Sequence, residues 1–149
     1  MTVLINPTEV REVIKLLQED PQGAIDEAQR LLDRSTTRDG AFVNLHNLMA
    51  ASALRLNKVN LAEKYVVDGL AVDRNPHLLH TLAGIYRAKG DHAQGRLAIN
   101  EALTLAASEM EFYRTKAILL FEGAHYSELR QFLDIEVTQF APLAGLRHL

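Results

Sequence analysis

The chain contains no cysteine, no tryptophan, only four prolines and no long apolar run. Without cysteine there are no disulfides, no thiolate metal ligands and no cysteine nucleophile, and the composition fits a reducing compartment. No stretch approaches the roughly 18 consecutive apolar residues that read as a membrane-spanning helix. The N-terminus, from Met1 to Pro7, lacks the basic segment and apolar run of a secretory signal. Neither charge dominates: 16 basic and 19 acidic residues give a formal net charge of -3. A nucleic-acid binder usually carries a basic excess, and no block of five like charges forms a tail. These absences point to a cytoplasmic protein with no nucleic-acid and no membrane partner.

What is present is helix. Apolar residues make up 48% of the 149 positions and charged residues 23%, enough for one domain with a proper core. The prolines fall where helices start or have ended. Asn6–Pro7 offers an N-cap followed by proline at the first helical position, with Glu9 placed to complete a capping box. Val10, Val13, Ile14 and Leu17 then share a face. Asp20–Pro21 opens a second helix with Ala24, Ile25, Ala28, Leu31 and Leu32 apolar. The polar break Ser35–Gly40 predicts a loop. A third helix from about Phe42 to Asn57 follows, then a fourth that Asn60 and Glu63 are placed to cap. Asn75–Pro76 opens a fifth helix that Gly90 stops. Asp91 caps a sixth, Ser108 with Glu111 predicts a capped seventh, and an eighth begins near Ser127. Ala141–Pro142 breaks the pattern ahead of a short tail, Leu143–Leu149. Short connections make neighbouring helices antiparallel hairpins, with no linker between two domains.

The hairpins repeat. Leu79, Leu82, Ala83, Tyr86, Gly95, Ile99 and Ala102 in one unit correspond to His46, Met49, Ala50, Ala53, Ala62, Val66 and Gly69 upstream. Downstream they correspond to Tyr113, Lys116, Ala117, Leu120, Leu129, Leu133 and Glu136. The intervals are about 33 and 34 residues, a period that marks a helical-repeat array. Ala50, Ala83 and Ala117 fall at one equivalent place, where close helix approach needs a small side chain.

This spacing resembles the tetratricopeptide repeat (TPR), although the tryptophan of that pattern is absent and Lys116 and Glu136 occupy apolar positions. The resemblance implies an all-α chain: a right-handed α-solenoid of about four antiparallel helical hairpins, forming a single domain over 1–149. Its best-matching repeats are 42–74, 75–107 and 108–140, with a degenerate N-terminal hairpin at 7–34. A plain helical bundle is the alternative architecture. In this family the first helix of each hairpin lines a concave surface. By the resemblance the inner positions here include Asn44, Asn47, Ala51 and Arg55, then His77, His80, Gly84 and Arg87, then Glu111, Arg114, Ile118 and Phe121. Asn44, Asn47, Arg55, His77, His80, Arg87 and Arg114 are the candidate peptide-binding residues. Amides bond to an extended backbone and arginines to a carboxylate, so a protein or peptide partner with acidic residues or a free carboxylate is expected. A homodimer through unmatched end faces is a further expectation.

No catalytic pattern competes. There is no nucleophile elbow, no phosphate-cradling loop after a strand and no HExxH. His77 and His80, three apart on one helix, would need a third ligand such as His46 to hold a metal. No catalytic residue, metal site or cofactor is assigned. The expected function is non-enzymatic protein binding. A small bacterial chaperone or adaptor for a secretion or assembly machine is the alternative, and a small enzyme with a histidine-based metal site is a further one. The chaperone clamp known in this family wants lysine and asparagine one turn apart; Asn47 is followed by Ala51, which disfavours it.

Overall fold

The structure, a computed structural model, describes residues 2–136. Its regular elements are α1 (Pro7–Glu19), α2 (Pro21–Arg34), α3 (Gly40–Arg55), α4 (Val59–Leu70), α5 (Pro76–Ala88), α6 (His92–Leu105), α7 (Met110–Glu122) and α8 (Tyr126–Gln131). A π-helical turn, Phe132–Glu136, continues α8. No strand occurs among the described residues. The end of the 108–140 window, the break at Ala141–Pro142 and the tail Leu143–Leu149 lie outside them.

The proline-linked starts form as their chemistry dictates. Asn6 Oδ1 accepts from Glu9 N at 2.9 Å while Glu9 Oε1 accepts from Asn6 N at 3.2 Å, the reciprocal capping box. Asp20 caps α2 through Gly23 N, Asn75 caps α5 through His77 N and Leu78 N, and Asp91 caps α6 through Gln94 N. Two other expectations are corrected. α4 starts at Val59 rather than after Asn60, with Lys58 at its N-cap, and α7 starts at Met110 after Glu109 rather than at a Ser108 cap. Neither start has a side-chain cap.

The first correction has a backbone cause. Asn57 has a positive φ of 60°, so Lys58 N donates to Ala53 O at 2.8 Å and Asn57 N to Leu54 O at 3.0 Å. That is a Schellman turn, and it delivers Lys58 directly to the cap position. The same turn recurs. Gly90 (φ 78°) lets Asp91 N reach Tyr86 O, and Ala124 (φ 61°) lets His125 N reach Leu120 O. From 57 to 90 is 33 residues and from 90 to 124 is 34, so the backbone repeats with the period read from the side chains. In each case the next residue, Lys58, Asp91 or His125, is the N-cap of the following helix.

The chain divides inside α5 into two compact units, Met1–Thr81 and Leu82–Leu149. In the first, α1 packs on α2, α2 on α3, α3 on α4, and α1 also reaches α3. Val13, Ala28, Leu31, Leu45, Ala50, Ala53, Ala62 and Val66 are fully buried there. Ile14, placed by its spacing on the apolar face of α1, is instead 46% exposed. α1 packs on α2 and α3, and those contacts leave the Ile14 side of the helix open. In the second unit, Tyr113, Ala117, Leu120, Leu129, Phe132 and Leu133 form a core cluster with Leu103 against it. Lys116 tolerates its apolar register there by laying its ammonium 4.7 Å from the centre of the Phe132 ring. Ala50, Ala83 and Ala117 are all fully buried, as close helix packing requires.

Candidate functional site

The seven candidate groove residues are not equivalent once folded. Asn44 is exposed on α3. Asn47, one turn on, accepts from the Thr81 hydroxyl at 2.5 Å, joining α3 to α5 within the first unit. Arg55 ends α3 and reaches back to α1: Nη1 donates to Leu17 O at 2.9 Å and to Gln18 Oε1 at 3.1 Å. It fills the carbonyl-rich C-terminal turn of α1, where a cation is favoured. His77 is exposed in the first turn of α5 and His80 is half-buried; both make further interactions. In the second unit, Arg87 forms a two-pronged ion pair with Glu122. That bond holds the Glu122 carboxyl below its ordinary value and raises Arg87. Arg114 is exposed, with Glu111 at 4.0 Å one turn before it. All three candidate arginines therefore have partners within the fold, Arg114 through the longest contact.

The first unit carries a cleft of about 490 Å³ between the start of α1 and the start of α3. Ile5, Val10 and Ala41 give it apolar walls, and Arg11 and Asn44 stand at it as polar groups. Asn44 is the one candidate residue that lines it. Arg11 is exposed and, among the described residues, makes no ion pair. Sequence reasoning missed Arg11 and Ile5. A signal was present: Ile5 precedes the Asn6 cap and Val10 is the fourth helical residue, the spacing of a hydrophobic staple. The segment before α1 is tied down by Val3, whose N–H donates to Thr36 Oγ1 at 2.8 Å and whose carbonyl accepts from Thr36 N at 3.1 Å.

A second, smaller cavity of about 210 Å³ opens on another side of the first unit, among α2, α3, α4 and Arg38 of the loop. Its residues on α3, Phe42, His46 and Met49, lie about 140° round the helix from Ala41 and Asn44 at 3.6 residues per turn. His46 is buried, with its ring 4.3 Å from that of Phe42 and its Nδ1 2.9 Å from Phe42 O. A carbonyl only accepts, so Nδ1 carries the proton. Among the described residues no group of three or more His, Asp or Glu is placed to hold a metal ion. No described helix is long and apolar enough to cross a membrane.

No family model matches the chain, and none of the curated proteins does. Among solved structures it is similar to the crystal structure of MamA, a TPR-like helical-repeat protein, with a TM-score of 0.73 and 14% identity. The match covers 94% of this chain and 83% of that one. At that identity the likeness carries the fold alone: this chain has the TPR-like helical-repeat architecture that its hairpin spacing implies.

Proposed function

We propose that the chain is a non-enzymatic protein-interaction module that holds an extended segment of a partner against the cleft between α1 and α3. The observation that carries this reading is the cleft itself, with an apolar wall of Ile5, Val10 and Ala41 beside an exposed arginine that has no carboxylate partner among the described residues. An aliphatic partner side chain fits the wall. A partner carboxylate fits the Arg11 guanidinium, and the Asn44 amide can bond to the partner backbone. Pre-formed helices supply the shape, and no bond is made or broken. Within the first unit, Asn47, His77 and His80 extend the proposed surface along the first helices of the later hairpins. Arg55 and Arg87 contribute through structure, because each is bonded to its own fold.

Selection of a random peptide library on the whole chain tests the reading. Sequences combining an aliphatic residue with Asp or Glu should be enriched. Arg11→Glu should abolish their capture, and Arg130→Glu, an exposed reversal on α8, should leave it intact. Enrichment of basic peptides, or equal loss in both variants, refutes the proposal. Arg87→Glu is a poor probe, since it sets a second carboxylate beside Glu122 and perturbs the fold.

A further inference from the structure

The lining of the α1–α3 cleft repeats two turns further along the same two helices. α1 and α3 pack together and run in the same direction. Their starts line the cleft, and their ends are tied where Arg55 Nη1 donates to Leu17 O at 2.9 Å and to Gln18 Oε1 at 3.1 Å. Seven helical residues turn by about 700°, so residues seven apart point within about 20° of each other. Pro7, Ala41 and Asn44 line the cleft. Their counterparts seven residues on are Ile14, Leu48 and Ala51. All three are apolar and none is buried: Ile14 is 46% exposed, and Leu48 and Ala51 are half-buried. The cleft therefore leads into a second apolar station, with Ile14 on α1 and Leu48 and Ala51 on α3.

The two stations differ in their polar edge. Arg11 stands at the first, exposed and without an ion pair among the described residues. Its counterpart seven residues on is Gln18, whose amide oxygen is held by Arg55. The Arg55 guanidinium at that end is bonded to α1 itself. The first station thus takes an aliphatic group beside a carboxylate, and the second takes an aliphatic group alone.

Spacing narrows the ligand further. Val10 in the first station and Ile14 in the second are one turn apart, about 6 Å along α1. An extended chain puts every second side chain on the same side, at about 6.6–6.8 Å. The residue between them points away from the floor, and Arg11 lies between Val10 and Ile14 along α1. Resting on the reading of the cleft as a peptide site, we propose that it recognises an aliphatic residue, an acidic residue and a second aliphatic residue in succession. The two aliphatic side chains sit against Val10 and Ile14, and the intervening carboxylate meets Arg11. Residues two apart on a helix do not share a face, so the segment is bound extended.

Fluorescence anisotropy of the whole chain with labelled peptides tests the proposal. Leu-Glu-Leu is the probe, with Leu-Glu-Ser, Leu-Gln-Leu and Leu-Glu-Ser-Leu as comparators, all in the same Gly-Ser flanks. Leu-Glu-Leu should bind the parent most tightly. Leu-Glu-Ser should lose about 3- to 10-fold, as expected for removing one partly buried aliphatic contact. Ile14→Ser should weaken Leu-Glu-Leu by a similar factor and leave Leu-Glu-Ser unchanged, because both changes remove the same contact. Ile14→Leu should keep the parent affinity. Ile14 is exposed, so circular dichroism of both variants should match the parent. Equal affinity for Leu-Glu-Leu and Leu-Glu-Ser overturns the proposal and leaves the cleft reading standing. So does an additive loss in Ile14→Ser, or Leu-Glu-Ser-Leu or Leu-Gln-Leu binding as tightly as Leu-Glu-Leu. Binding by none of the four overturns it too, and the random-library selection then decides whether the cleft reading falls with it. A parent dimer in sedimentation velocity that Ile14→Ser dissolves makes a second copy the occupant and refutes the proposal.

Discussion

The left-handed turn residues Gly90 and Ala124 and the helical Gly84 predict opposite signs for the same exchange between glycine and alanine. Ala124 sits at φ 61° and Gly90 at φ 78°, in the same kind of Schellman turn and the same compact unit. An L-residue in the left-handed region costs about 1–2 kcal/mol, because Cβ crowds the following carbonyl. Glycine escapes that cost but gives back about 0.4–1 kcal/mol through the greater freedom of its unfolded chain. Ala124→Gly should therefore stabilise by about 0.5–1 kcal/mol. Gly90→Ala should destabilise by a similar amount. A Cβ built at Gly90 meets nothing within 4 Å, so backbone strain alone sets that sign. Gly84, inside α5, also has nothing within 4 Å of a built Cβ, but its φ is ordinary. There the same Gly→Ala change should stabilise by about 0.5–1 kcal/mol. Thermal unfolding followed by circular dichroism separates the three, at about 2–4 °C per kcal/mol for a chain of this length. Urea unfolding with an unchanged slope confirms that stability moved rather than cooperativity. A lower melting temperature for Ala124→Gly, or a shift of the same sign at Gly84 and Gly90, would refute the turn assignment.

Gly69→Ala should destabilise by about 1–3 kcal/mol by overpacking, since its Cβ would stand 2.8 Å from Leu78 Cδ1 and 3.1 Å from His46 Cβ; urea denaturation measures it. Asn6→Ala removes the acceptor half of the capping box and should cost about 1 kcal/mol, with hydrogen exchange accelerated in the first turn of α1. Arg55→Met leaves Leu17 O and Gln18 without their donor and should cost about 1 kcal/mol, with protection lost first at the C-terminal end of α1. Glu122 has a lowered folded pKa, caused first by its hydrogen bond to Arg87. It therefore contributes stability that is complete above the ordinary carboxylate value of 4.5 and is lost as pH falls through the folded value. Glu122→Gln should shrink the acid-dependent part of an unfolding-versus-pH series; an unchanged acid limb would show that the pair adds nothing, as exposed pairs often do.

Local chemistry was legible because it needs no partner at a distance. Asn6, Asp20, Asn75 and Asp91 were readable as caps, since a short acceptor side chain before a proline or after a glycine has one good use. Asn60 and Ser108, each with a glutamate three residues on, carried the capping-box pattern and did not cap. At Asn60 the reason is the preceding turn: Asn57 adopted the left-handed conformation and put Lys58 at the cap first. A backbone choice two or three residues upstream overrode the side-chain signal, and asparagine is one of the few residues able to make it. The buried alanines at 50, 83 and 117 were readable from their period. The pairing of Arg87 with Glu122, 35 residues away, was not, because the repeat pattern says which face a charge occupies and nothing of what faces it.

The same limit explains where the cleft was found. Repeat register treats every hairpin as a copy, so it spread the candidate residues along the first helices of the later units. The first hairpin is not a copy. Its turn has no left-handed residue; Asp20 alone closes α1 and opens α2. Its approach segment belongs to no repeat, yet Val3 is hydrogen-bonded to Thr36 across the loop before α3, and Ile5 is buried at the cleft that follows. A wall built from residues outside the period is invisible to an alignment of units. The charge follows the same logic. Arg55 and Arg87 sit where a neighbouring hairpin offers a carbonyl, an amide or a carboxylate, and they are taken up by the fold. Arg11, on the first helix, meets no such group among the described residues, and the proposed function assigns its charge to a partner.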